Sequence, residues 1–122
     1  AVNIVLATLA QLIVLLTPVG VTLVAVAAAS NPYGLLNRAW IPFPVQCLLA
    51  VAGLDFIRWV QHFAFHRLGI LWRMHRVHHS DPDCDLTTGL RFHPGEALVT
   101  QGSYLAAVHL LAPPPAVALG VE

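Results

Sequence analysis

The chain has 122 residues, of which 57% are hydrophobic and 10% charged, and six basic residues balance six acidic ones. This composition excludes an ordinary water-soluble domain, in which about a quarter of the residues are charged. The zero formal net charge and the lack of a basic stripe also argue against a nucleic-acid partner. We interpret residues 1–122 as a single all-α membrane domain, a multi-pass transmembrane helical bundle.

The first predicted element is an apolar helix over residues 4–29, which include no charged side chain. Helical residues rise about 1.5 Å each, so this segment is long enough to cross a hydrocarbon core of roughly 30 Å. Pro18 and Gly20 predict a kink at most, because transmembrane helices tolerate both residues. A signal peptide is the alternative, but the segment is too long and no basic region precedes it.

A second apolar helix is predicted over residues 41–60 and a third over 97–112. Pro42 and Pro44 suit the entry of the second helix, where a missing N–H costs little. Four of the six arginines closely follow the hydrophobic part of this helix: Arg58, Arg67, Arg73 and Arg76. The positive-inside rule therefore predicts that this region faces the cytoplasm. The absence of lysine beside abundant Ala, Arg and Pro is typical of GC-rich bacterial genomes, so we expect a bacterial inner membrane.

Five histidines form two tight groups, His62-x3-His66 and His75-x2-His78-His79. Side chains three or four residues apart share one face of a helix, and imidazole is the commonest metal-binding side chain. Neutral nitrogen donors favour iron, zinc or copper over magnesium or calcium. Three or four histidines saturate one zinc ion, so this larger number predicts a dinuclear site.

The two histidine groups can converge only if the chain bends between them. In one unbroken helix, the thirteen steps from His62 to His75 would rotate by roughly 220° and point the groups in nearly opposite directions. We predict a bend at Arg67-Leu68-Gly69, in which Gly69 is the conformationally permissive residue. The side chains after it follow the pattern of a helix with one buried face, namely Leu68, Leu71, Trp72, His75, His78 and His79.

Three motifs lie between residues 54 and 96. They are Asp55-x6-His62-x3-His66-Arg67, Leu71-Trp72-x2-His75-x2-His78-His79-Ser80 and Thr88-x2-Arg91-x-His93-Pro94-x-Glu96. Together they resemble the fatty acid hydroxylase/sterol desaturase superfamily. The resemblance implies an integral membrane oxidoreductase whose histidine clusters hold a di-iron centre, with zinc as an alternative metal in a purified sample. It also implies a lipid-like substrate, which is hydroxylated or desaturated with dioxygen and electrons from a donor such as a ferredoxin or a cytochrome b5-type reductase system.

The same resemblance assigns roles to individual residues. The ligands it implies are His62, His66, His75, His78 and His79, and His93 is left open between a ligand and a supporting residue. Asp55 lies two turns before His62 and is expected either to accept a proton from a ligating imidazole or to pair with an arginine. Arg91 and Glu96 are expected to form an ion pair that holds their segment against the bundle.

The sequence predicts structural roles for one further histidine and two tryptophans. We expect His109 to be a hydrogen-bonded packing residue of the third helix, and Trp59 and Trp72 to pack or to anchor the protein at the membrane interface. A membrane haem carrier would need only one histidine pair, and a zinc hydrolase would need an HExxH motif, which is absent. A relative without catalytic activity is a further alternative.

The ends of the chain predict that it is the N-terminal part of a longer protein. It does not begin with Met, and it stops at Glu122 soon after Pro113-Pro114-Pro115. Proteins of the family resembled supply a further histidine cluster from a later helix. We therefore expect the metal centre to be incomplete in these 122 residues and the chain to be inactive by itself.

Overall fold

The computed structural model describes residues 2–31, 33–77, 79 and 93–121. Within these ranges it consists of helices and contains no strand, which confirms the predicted all-α class. The five helices are α1 (Val2–Ala29), α2 (Phe43–Arg67), α3 (Gly69–His75), α4 (Pro94–Leu111) and α5 (Pro115–Gly120).

Two of these helices are long and apolar enough to cross a membrane. Residues Ala7–Ala29 of α1 have a mean hydropathy of 2.5, and α2 has a mean hydropathy of 1.4. Pro18 lies inside α1 without ending it. The third predicted apolar helix corresponds to α4, which is not one of the two candidate spans. The number of crossings and the side on which the histidines lie stay predictions.

The boundary between α2 and α3 is a single residue. Helix α2 begins after Pro42 and ends at Arg67, and Leu68 adopts an extended conformation with φ −96° and ψ 116°. The backbone hydrogen bonds continue across the break, since Leu68 donates to the Ala64 carbonyl and accepts from the Trp72 N–H. The bend predicted at residues 67–69 is confirmed, and its extended residue is Leu68.

Two details of the predicted α3 differ from the structure. Gly69 is the first residue of α3 and has no positive φ, so the break does not use the conformational freedom of glycine. The helix also ends at His75 rather than continuing to His79. A turn follows, in which the Val77 N–H donates to the Met74 carbonyl at 3.3 Å.

The core is built mainly from small residues, which allow the helices to approach closely. It comprises Val21 and Ala25 of α1, Leu54 of α2, Tyr104, Ala107 and Val108 of α4, and Ala118 of α5. The Tyr104 hydroxyl donates to the Ala118 carbonyl at 2.6 Å and fixes α5 on α4. The Arg58 guanidinium lies over the Tyr104 ring at 5.5 Å and donates to the Val121 carbonyl. Helices α2, α4 and α5 are thereby joined close to the histidines.

Truncating Leu54 to alanine should destabilise the fold, because this side chain is fully buried at the contact of the helices. We expect a loss of about 2–4 kcal/mol in the free energy of unfolding, as for other buried leucines. The matched control is Leu48→Ala, since Leu48 lies on the same helix and is 69% exposed. Thermal unfolding in detergent should show a lower Tm for Leu54→Ala alone. Equal shifts for the two variants would contradict the packing described.

Candidate metal centre

The last two turns of α2 carry the first pair of histidines. His62 and His66 are exposed and one turn apart, and their Nε2 atoms are 3.2 Å from each other. Two nitrogens bound to one metal at about 2.1 Å are separated by about 3.0–3.4 Å for octahedral or tetrahedral angles. The pair therefore has the separation that a shared metal ion needs.

Helix α3 brings His75 back onto this pair. The His75 ring centroid is 4.9 Å from the ring centroids of both His62 and His66. One ring nitrogen from each of the three residues lies within 4.8 Å of the others. The break at Leu68 thus brings His75 close to the pair His62 and His66, as predicted.

His79 completes a group of four described imidazoles. Its Nε2 is 3.1 Å from the Nε2 of His75, and its ring centroid is 5.0 Å from that of His66. We refer to His62, His66, His75 and His79 as the imidazole group. The remaining predicted ligand, His78, lies outside the described residues.

A buried carboxylate fixes the orientation of His75. Glu96 Oε1 is 2.6 Å from His75 Nδ1, and both residues are almost completely buried. A carboxylate only accepts hydrogen bonds, so the hydrogen lies on Nδ1 and the neutral ring presents a lone pair on Nε2. This Nε2 is the atom that faces His79. The second oxygen, Glu96 Oε2, is buried and accepts no hydrogen bond from the part of the chain that the structure describes.

Aromatic rings enclose part of the imidazole group. Phe65 stacks on His75 with the ring centroids 5.3 Å apart. The Trp72 ring lies 5.4 Å from His66 and 5.8 Å from His79, measured between centroids. The packing role predicted for Trp72 therefore involves the imidazoles themselves. Trp59 stacks between Phe56 and Phe63 on α2.

A cavity of about 310 Å³ adjoins the imidazole group. It is lined by Arg58, Gln61, His62, Phe65, His75, Glu96 and Thr100, and most of its exposed lining surface is apolar. The Gln61 side-chain amide donates to the Thr100 hydroxyl at 2.9 Å and joins α2 to α4 beside it. The imidazole group thus borders a cavity large enough for a small molecule.

The other predicted site residues lie elsewhere. His93 is the N-cap of α4, where its Nδ1 accepts from the Gly95 N–H. Asp55 is exposed on α2, and none of the described hydrogen bonds or ion pairs links it to an imidazole. Arg91, the partner expected for Glu96, lies outside the described residues. His109 is exposed in the last turn of α4 rather than packed between helices.

The contact between Glu96 and His75 was missed by sequence reasoning. The two residues are 21 positions apart, and no periodicity links a residue of α3 to the first turn of α4. The available signal was a glutamate that opens an apolar helix directly after a histidine-rich segment. The sequence analysis instead predicts Arg91 as the partner of this glutamate.

Taken together, the fold and the imidazole group define a helical protein with a candidate metal centre at the end of α2, one of its two candidate membrane spans. The fatty acid hydroxylase family model matches residues 47–121. The chain therefore belongs to the fatty acid hydroxylase family. This is a family of lipid-modifying membrane oxygenases.

Curated relatives include two alkylglycerol monooxygenases. The chain is 38% identical over 61 residues to the protein of Xenopus tropicalis, an alignment that covers 50% of this chain and 14% of the relative. It is 37% identical over 59 residues to the protein of Homo sapiens, covering 48% of this chain and 13% of the relative. The chain thus aligns with only a small part of these much longer relatives. No solved structure matches the chain.

Replacing His66 with alanine should weaken the binding of divalent metal, because its Nε2 lies beside that of His62. We expect the affinity for Co²⁺, measured by titration of the full-length protein in detergent, to fall by at least about tenfold. His109→Ala is the matched control, since it removes an exposed histidine that lies outside this group. An equal loss in both variants would show that the imidazole group is not the binding site.

Proposed function

We propose that the protein to which this chain belongs is a membrane-bound di-iron oxygenase that hydroxylates or desaturates a lipid-like substrate with dioxygen and external electrons. The observation that carries the proposal is the imidazole group, in which His75 is oriented by a buried carboxylate. Membership of a lipid-modifying family supports it.

The donor set fits iron. Neutral imidazole nitrogens suit iron, zinc and copper, and exclude magnesium and calcium as preferred ions. His62, His66 and His75 bring their nitrogens together, and His79 adjoins His75. His78 directly precedes His79 in sequence, so five imidazoles exceed the four ligands that a tetrahedral ion takes. Bound iron would supply the oxidation of an unactivated C–H bond by dioxygen. The buried Glu96 Oε2, which accepts no hydrogen bond from the described residues, also fits a site that carries positive charge when occupied.

The residues of this chain position and shield such a centre. His62 and His66 present their Nε2 atoms to each other, and His79 presents its Nε2 to His75. Phe65 stacks on His75, and Trp72 lies beside His66 and His79, so both aromatic rings limit the rotation of the imidazoles. The adjoining cavity leaves His62 and His75 accessible. The Nδ1 of His93 is occupied by its capping bond.

A lipid substrate agrees with the surface around the site. The candidate spans in α1 and α2 are largely unburied, with only 22% and 11% of their most apolar windows covered by the chain itself. A substrate dissolved in the bilayer can therefore approach along these helices. The relatives are named for alkylglycerols, so we propose a lipid of that kind as the first substrate to test.

The electron donor is proposed to dock at the cytoplasmic end of α2 and α3. Arg67, Arg73 and Arg76 are exposed there, close in sequence to the histidines. A cluster of one charge sign steers an oppositely charged partner. An acidic ferredoxin or a cytochrome b5-type protein is the class of donor that this surface suits.

Metal analysis and lipid oxidation together test the proposal. The detergent-purified full-length protein should contain about two iron ions per chain after anaerobic loading. It should also oxidise an alkylglycerol when given dioxygen and a chemical reductant. His75→Ala should lose both properties, whereas His109→Ala should keep them.

The alternatives give different results. A haem absorption spectrum would favour a membrane electron carrier. Bound iron with no oxidation of any lipid would favour a relative without catalytic activity. No metal in the loaded protein would overturn the oxygenase proposal.

A further inference from the structure

The short segment from His93 to Glu96 combines three unusual features at the start of α4. The first is a histidine N-cap: His93 is extended, with φ −73° and ψ 133°, and its Nδ1 accepts the Gly95 N–H at 3.0 Å. Pro94 follows in the first turn, where its missing N–H costs nothing. The direction in which α4 begins is therefore set by the His93 side chain.

The second feature is a close approach between α4 and α3. A Cβ atom at Gly95 would lie 2.6 Å from Met74 Sδ and 3.1 Å from His93 Nδ1. Any larger residue would push the first turn of α4 away from Met74 or displace the methionine side chain. Because position 95 is a glycine, the residue that follows it on α4 lies against the residue that follows Met74 on α3.

Those next residues are Glu96 and His75, and their contact is the third feature. The carboxylate is buried but makes only one described hydrogen bond, to His75 Nδ1. A buried carboxylate with one hydrogen bond among the described residues is unfavourable compared with an apolar residue of similar size. Its position is better explained by its effect on His75 than by any gain in stability.

We propose that His93, Gly95 and Glu96 form a clamp that fixes the tautomer and orientation of His75, and that His93 acts as a cap within this clamp and not as a metal ligand. The inference rests on the proposed function only in treating His75 as a ligand. With Nδ1–H held by Glu96, the lone pair of His75 Nε2 points toward His79. A carboxylate on the far nitrogen also makes an imidazole a more basic ligand.

The tautomer of His75 tests the clamp without any metal. In full-length protein labelled with ¹⁵N-histidine, NMR couplings should show His75 protonated on Nδ1. Glu96→Ala should shift His75 toward a mixture of tautomers, whereas Leu98→Ala, an exposed change on the same helix, should not. Glu96→Gln keeps the shape and one acceptor, so it should retain the Nδ1 tautomer even if Glu96→Ala folds poorly. An unchanged tautomer in folded Glu96→Ala would overturn the inference.

Two substitutions of His93 separate a cap from a ligand. Asparagine is among the best N-cap residues, whereas alanine is a poor one. If His93 is a cap, His93→Asn should keep the Co²⁺ affinity of the wild type within about twofold, and His93→Ala should weaken it by about 10- to 100-fold. If His93 is a ligand, His93→Asn should lose affinity as strongly as His75→Ala, and the inference fails.

These outcomes are distinguishable from failure of the proposed function. A wild-type protein that binds no Co²⁺ or iron would overturn the oxygenase proposal, but the tautomer of His75 would still report on the clamp. Conversely, a protein that binds iron and oxidises lipid, with a His75 tautomer independent of Glu96, would overturn the clamp alone.

Discussion

The extended conformation of Leu68 is the feature on which the candidate metal centre depends. An unbroken helix would direct the histidines of α2 and α3 to nearly opposite sides. With one extended residue between the helices, the ring centroid of His75 lies 4.9 Å from those of both His62 and His66. The break costs little in hydrogen bonding, because Leu68 still bonds to Ala64 on one side and Trp72 on the other. A change of direction is obtained without leaving polar backbone groups unpaired beside a lipid phase.

The sequence predicts those features that depend on local patterns. The spans follow from their length and lack of charge, the start of α2 follows from Pro42, and the turn between the histidine pairs follows from helical geometry. That bend was predicted at residues 67–69, where the extended residue is Leu68 and Gly69 does not use its conformational freedom. Helix α3 was predicted too long, since the apolar pattern runs on to His79 although the helix ends at His75.

What the sequence does not reveal is the pairing across a long separation. The position of Asp55 two turns before His62 favoured it as the carboxylate that bonds to a histidine. In the structure Asp55 is exposed, and Glu96 is the buried carboxylate beside His75. That arrangement depends on how α4 packs against α3 near Met74 and Gly95. Such packing is a property of the tertiary structure, and neither hydropathy nor motif spacing contains it.

The imidazole group is asymmetric, and the asymmetry has a chemical meaning. His75 is buried, stacked on Phe65 and bonded to Glu96, whereas His62, His66 and His79 are exposed. In the proposed metal centre, His75 would be fixed before any metal binds, and the exposed imidazoles would adjust around it. Preorganising one imidazole lowers the entropy lost on binding, while neutral exposed rings avoid adding charge near the bilayer. Glu96, the buried carboxylate among the described residues, would then strengthen His75 as a ligand without itself binding the metal.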